Sequence, residues 1–312
     1  MWLRDDLPYD LKSEVTERHM ARVMTYGYES AVAESQTSDN LEDFATAFHN
    51  TLLPLASAPQ TKPIIFIANS LGGLILKQML ITLAKSEQED DKKLLEAVYG
   101  IVFFGVPHDG MDISFLIPMV GDGPNRFLIE SISRINSQIL SIQQRDFHRA
   151  LGTDGESEIV CFYETRRSPT AKKDESGNWV MSGPLEVLVT KSSATHCRPW
   201  EDGPEHICAV ARTHSGMVKF RQNDPEYDKA CGRLRVLARR AVTGRYRRQA
   251  LHVKFLVPYN KNPNFVERSN ILDDLKKHLG FGQRPGAARL QPRVALHGLG
   301  GVGKTQVALG SR

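Results

Sequence analysis

Three short, uninterrupted apolar runs punctuate residues 64–163: Ile64-Ile65-Phe66-Ile67, Tyr99-Gly100-Ile101-Val102-Phe103-Phe104 and Ile159-Val160-Cys161-Phe162-Tyr163. Runs of this kind, without polar alternation and rich in β-branched and aromatic residues, predict strands covered on both faces of a parallel sheet. Leu185-Glu186-Val187-Leu188-Val189 predicts a fourth strand. Elsewhere the spacing is helical. Leu41, Phe44, Ala45, Phe48 and Leu52 fall on one face, with Ser38 and Asp39 placed to cap that helix. Leu74 to Leu80 predicts an apolar helix and 125–150 a helical region, whereas Ser86–Lys93 and Lys172–Asn178 are polar and solvated. Strands alternating with helices predict an α/β fold around a mostly parallel sheet with flanking helices.

The pattern changes towards the C-terminus. No acidic residue occurs between Asp228 and Glu267, and Arg233, Arg235, Arg239, Arg240, Arg245, Arg247 and Arg248 cluster there. Without interleaved aromatic residues beyond Tyr246, this stretch reads as a basic linker helix rather than a nucleic-acid surface. A helix is predicted from Ser269 to Leu279, a Gly/Pro/Arg loop over 280–292 and a strand over Arg293–Leu296.

With 41% hydrophobic and 24% charged residues over 312 positions, the chain has material for a real core. Its four cysteines (Cys161, Cys197, Cys208 and Cys231) lack C-x-x-C spacing, which argues against a zinc or dithiol motif. The opening Met-Trp-Leu-Arg-Asp-Asp carries charge where a signal peptide needs an apolar run, and no stretch approaches the ~20 apolar residues that span a bilayer. These features lead to the expectation of a cytoplasmic protein, or one peripheral to mitochondrial or endoplasmic reticulum membranes, with no nucleic-acid partner.

Candidate chemistry begins at Ala68-Asn69-Ser70-Leu71-Gly72. A serine hydroxyl needs a base to take its proton, an acid to orient the base, and donors for the developing oxyanion. The pattern G-x-S-x-G supplies the serine on a tight strand-to-helix turn. Here Ala68 replaces the first glycine, but a buried strand precedes the turn and an apolar helix follows it. The N–H of Leu71 is the expected oxyanion donor. In folds with this elbow the chain order is serine, acid, histidine. His214 lies where the base belongs, with His196 and His206 as rivals. Glu164, closing the third apolar run, fits the acid, with Asp174, Glu201 and Asp202 competing.

The elbow with its Leu-Gly-Gly-Leu-Ile-Leu-Lys-Gln continuation, the block Gly100–Gly110, the step Phe162-Tyr163-Glu164-Thr165 and the segment His214–Phe220 together resemble one family. It comprises the lipase-like serine-esterase domains of serine-active-site-containing proteins, also found at the N-terminus of fungal NOD-like receptors. The resemblance covers about 1–228 and implies an α/β-hydrolase fold, a Ser70–Glu164–His214 triad and an acyl-enzyme formed from a small ester or lipid substrate without a cofactor. His108 then corresponds to a position that supports the site. The family elbow is usually Gly-His-Ser-Leu-Gly-Gly, from which Ala68 and Asn69 depart. The family also places a strand and a His-Gly-type oxyanion loop before the Trp-Leu-Arg-Asp segment, so the resemblance implies a hydrolase domain that lacks its first strands and its second oxyanion donor. A non-catalytic interaction module, or an inactive fragment, is the alternative reading.

A second motif closes the chain. Gly298-Leu299-Gly300-Gly301-Val302-Gly303-Lys304-Thr305 satisfies G-x-x-x-x-G-K-[ST], in which successive N–H groups cradle phosphates, Lys304 meets the β/γ oxygens and Thr305 the Mg²⁺. With Val266-Glu267-Arg268, it resembles the opening of an NB-ARC or NACHT-type P-loop domain. The implied ligands, ATP or ADP with Mg²⁺, and self-association through a receptor belong to a complete parent protein, since only 306–312 follow Thr305 and no NTPase activity is expected here. The predicted organisation is therefore a hydrolase domain over 1–228, a basic linker over 229–258 and the beginning of a P-loop domain over 259–312.

Overall fold

The computed structural model describes residues 2–12, 19–56, 62–135, 137–151, 157–195, 201, 203–221, 223–248 and 269–278. Short helices α1 (Trp2–Asp5) and α2 (Leu7–Asp10) precede α3 (Leu41–Ala56), then β1 (Ile64–Asn69), α4 (Leu71–Lys85), α5 (Glu89–Ala97) and β2 (Val98–Phe104). Next come α6 (Ile117–Val120), α7 (Arg126–Ser131), α8 (Gln138–Ala150), β3 (Glu158–Glu164), β4 (Ser168–Lys173), β5 (Trp179–Glu186) and α9 (Lys191–Thr195). Strand β6 (Ile207–Val210) and helices α10 (Pro225–Arg248) and α11 (Ser269–His278) complete the described elements.

The main sheet has the order β1-β2-β3-β6, every pair parallel. Its continuous apolar runs are explained by burial on both faces. Successive side chains of a strand point to opposite sides, and here both sides carry a core. Phe66, Ile101, Phe103, Ile159 and Cys161 pack with residues of α3, α4, α5 and α8. Val102, Phe104, Val160, Phe162 and Val210 pack with Trp2, Leu7, Tyr227, Leu234 and Leu237 on the other face. The molecule is thus an α/β fold with a mostly parallel sheet flanked by helices.

Several details depart from the sequence expectations. Leu185–Val189 is not a strand of the main sheet. Residues through Glu186 form β5, paired antiparallel with β4 in a separate two-stranded sheet, and residues 174–178 make the tight turn between them. The fourth parallel strand is Ile207–Val210. The polar segment 86–93 runs into helix α5, which buries Asp91, Leu94 and Ala97 and exposes its charged residues. The helix from Leu41 is capped by Asn40, whose Oδ1 accepts the N–H of Glu42 (2.7 Å) and Asp43 (3.2 Å), while Asp43 accepts the N–H of Asn40 (3.0 Å). This reciprocal box displaces Ser38 and Asp39 as the cap.

The chain divides into two compact units, Met1–Ala250 and Leu251–Arg312. The first includes α10, so residues 229–248 of the expected linker are helical. Ala230, Cys231, Leu234, Leu237 and Ala238 belong to the core, with arginines on the outer face. In the second unit α11 is described, with Leu272 and Leu275 buried beside Ile271. The expected strand 293–296 lies outside the described residues, as does the phosphate loop of Gly298, Gly300, Gly301, Val302, Gly303, Lys304 and Thr305.

Candidate active site

Parallel strands with helical returns bring their carboxyl ends to one edge of the sheet, where loops converge. Ser70 directly follows β1, Glu164 is the last residue of β3, and His214 lies just beyond β6. Three positions far apart in sequence therefore meet. The Nε2 of His214 is 2.9 Å from the Oγ of Ser70, and its Nδ1 is 3.3 Å from the Oε2 of Glu164.

The turn that carries Ser70 is held in an unusual backbone conformation. Its φ of 49° and ψ of −127° are costly for a residue with a Cβ, on the order of 1–3 kcal/mol. Hydrogen bonds fix the turn: the Ser70 N–H and the Asn69 side-chain amide both donate to the Phe104 carbonyl, at 2.9 and 3.0 Å, and the Gly73 N–H donates to Ser70 O. Close packing does the rest. A Cβ on Gly73 would lie 2.2 Å from Val106 Cγ2, so only glycine lets α4 approach the loop after β2. Leu71 opens α4, and its N–H belongs to the exposed donors of a helix N-terminus.

His214 is pinned from its backbone. Its N–H donates to Ser168 Oγ at 2.8 Å, and the residue sits at the start of a short 3₁₀ turn, His214–Gly216. Gly105, at φ +55°, makes room for the ring, since a Cβ there would lie 2.7 Å from Met217 Sδ and 3.0 Å from His214 Cε1. The Glu164 side chain is fully buried, and its Oε1 accepts the N–H of Val189 at 3.0 Å. Glu164 Oε2 and His214 Nδ1 face each other at 3.3 Å without the alignment of a hydrogen bond. A catalytic hydrogen bond of this type is often long in a ligand-free protein and tightens when substrate binds.

The rival residues sit elsewhere. His206 immediately precedes β6 at the opposite, amino end of the strands, where Nδ1 contacts Ile159 O at 2.8 Å. Glu201 accepts the Ile159 N–H at that same end. Asp174 caps the β4–β5 turn through the N–H groups of Ser176 and Asn178. His196 and Asp202 lie outside the described residues. His108 is buried, with its ring edge-on to Phe103 and its Nδ1 3.5 Å from Lys77 Nζ.

Ser168, Asn69 and the Val189 N–H were not legible as supports, because each acts through a single long-range hydrogen bond with no sequence spacing. Tyr28 packs beside the elbow. Its hydroxyl lies 3.3 Å from the position a Cβ at Gly72 would take. Burial, with Tyr26 secondary, pushes its phenol up to about 12.

Chemically, this arrangement is a hydroxyl within hydrogen-bonding distance of an imidazole, and an imidazole against a buried carboxylate. Such a set can move a proton from oxygen to nitrogen and stabilise the resulting imidazolium.

No protein-family model matches the chain, and no solved structure is detectably similar to it. Curated relatives match in part. Protein SERAC1 of Mus musculus is 29% identical over 112 residues, which is 35% of this chain and 15% of that protein. Protein SERAC1 of Homo sapiens is 28% identical over 112 residues, with the same 35% and 15% coverage. Protein SERAC1 of Danio rerio is 43% identical over 49 residues, 16% of this chain and 7% of that protein. The matches thus span less than a fifth of those relatives' own length. Among the described residues, no helix is long and apolar enough to cross a membrane.

Proposed function

We propose that the chain is a serine ester hydrolase with an α/β-hydrolase-like site. The supporting observation is the convergence of Ser70, His214 and Glu164, with Ser70 on a strained strand-to-helix turn. The partial likeness to Protein SERAC1 is compatible with this chemistry.

In this reading His214 Nε2 removes the Ser70 proton as Oγ attacks the carbonyl carbon of an ester. Glu164 stabilises the imidazolium, and the Leu71 N–H donates to the tetrahedral oxyanion. Collapse of that intermediate breaks the bond to the alkoxy group, which leaves with the proton from His214. Water then adds to the acyl-enzyme with the same base, and release of the acid restores Ser70. Reaction of Ser70 with a fluorophosphonate probe, compared with Ser70→Ala, tests the assignment.

The role as effector domain of a nucleotide-binding receptor of the fungal NOD-like class, with ATP or ADP and Mg²⁺ as ligands of the parent, is likewise a proposal. It rests on the 298–305 motif and on the family resemblance read from the sequence.

A further inference from the structure

Beside the turn that carries His214 lies an open cavity of about 570 Å³, and it is lined by cations from three separate stretches of chain. Arg166 comes from the segment after β3, Arg212 from the end of β6, and Lys219 and Arg221 from the loop before α10. The facing carboxylate is Asp224, already committed: it accepts from Arg212 at 2.5 Å and from the N–H groups of Glu226 and Arg221. Arg166, Lys219 and Arg221 are exposed, so their charges are available to a ligand at little desolvation cost. Thr213 and Gly216, which flank His214, form part of the same wall.

With Arg212 compensated by Asp224, the three remaining cations, Arg166, Lys219 and Arg221, attract anions. Guanidinium groups pair with planar or tetrahedral oxyanions through two parallel N–H···O bonds. A carboxylate ligand would satisfy one such fork. A phosphate-class group, with more acceptor oxygens and greater charge, matches several cations supplied by different stretches of chain. We propose that this cavity is an oxyanion-binding subsite taking a phosphate group, next to the residues that hold His214. The binding itself does not depend on the hydrolase reading of Ser70.

The test is calorimetric titration of the full chain with inorganic phosphate, against chloride at matched ionic strength. The wild type, the Arg166→Gln/Arg221→Gln double variant, Lys219→Gln and Ser70→Ala are compared, with thermal melting to confirm that each is folded. The double variant should bind about tenfold or more weakly. Lys219→Gln should weaken binding less, and Ser70→Ala should match wild type. Phosphatidylcholine vesicles with and without phosphatidic acid then separate a lipid headgroup from free phosphate as the source. Absence of saturable phosphate binding to wild type, or equal binding to wild type and a folded double variant, overturns the proposal. Loss of hydrolase labelling at Ser70 alone would leave it standing.

Discussion

Glu164 reaches His214 with one carboxylate oxygen and the backbone of Val189 with the other, at 3.3 and 3.0 Å. The second contact aims the first, because a carboxyl fixed at Oε1 has little freedom at Oε2. Replacing Glu164 by Gln removes the charge that, in the proposed mechanism, stabilises the imidazolium, while keeping the side chain's shape. Ester hydrolysis should fall by roughly 10²–10⁴-fold. Glu201→Gln and Asp174→Asn should leave the rate close to wild type. A normal rate for Glu164→Gln beside a slow Glu201→Gln would reassign the acid.

The close approach of α4 to the loop after β2 gives a second prediction. At Gly73, alanine meets the branched Val106 side chain, which is itself buried and has little room to move. Overpacking of this kind costs about 1–3 kcal/mol. Denaturant unfolding of Gly73→Ala should therefore show a lower midpoint. Paired with Val106→Ala, the loss should be partly recovered, because the clash is with that one side chain.

Helix α10 supplies a third. Leu237 is 2% exposed in the core, whereas Val236 beside it is 42% exposed. Leu237→Ala should cost about 2–5 kcal/mol, and Val236→Ala within about 0.5 kcal/mol. Equal, small effects in chemical unfolding would restore the linker reading of this segment.

This segment also shows what a sequence conceals. Seven arginines on α10 dominate its composition, yet its inner face is Ala230, Cys231, Leu234, Leu237 and Ala238. Composition averages over the two faces, and only the spacing separates them. The three buried strands were legible because burial on both faces leaves no polar position, and Ser70 and Glu164 were legible because each sits at the end of such a strand; His214 was legible only from the serine–acid–histidine chain order. Strand β6 is only four residues long and was too short to stand out. The β4–β5 hairpin is half-exposed and contains Pro169 and Pro184, both poor strand signals. The ring position of His214 depends on Ser168 and Gly105, which no periodicity connects.

The Arg212–Asp224 pair makes stability depend on acid. Burial raises the Asp224 carboxyl, but Arg212 and the N–H groups of Glu226 and Arg221 outweigh it and hold the group below its ordinary value. A carboxyl depressed in the folded state contributes stability above its unfolded value, and that contribution is lost as pH falls through the folded one. Asp224→Asn should therefore melt lower than wild type at neutral pH, with the gap closing only in acid below about pH 4. A gap independent of pH would assign the loss to packing rather than charge.

The most direct measurement is fluorophosphonate labelling of the full chain followed by peptide mass analysis. The account predicts a single adduct on Ser70, absent in Ser70→Ala and strongly slowed in His214→Ala with the protein still folded. Labelling at another serine, or equal labelling of Ser70 with and without the imidazole of His214, would contradict it.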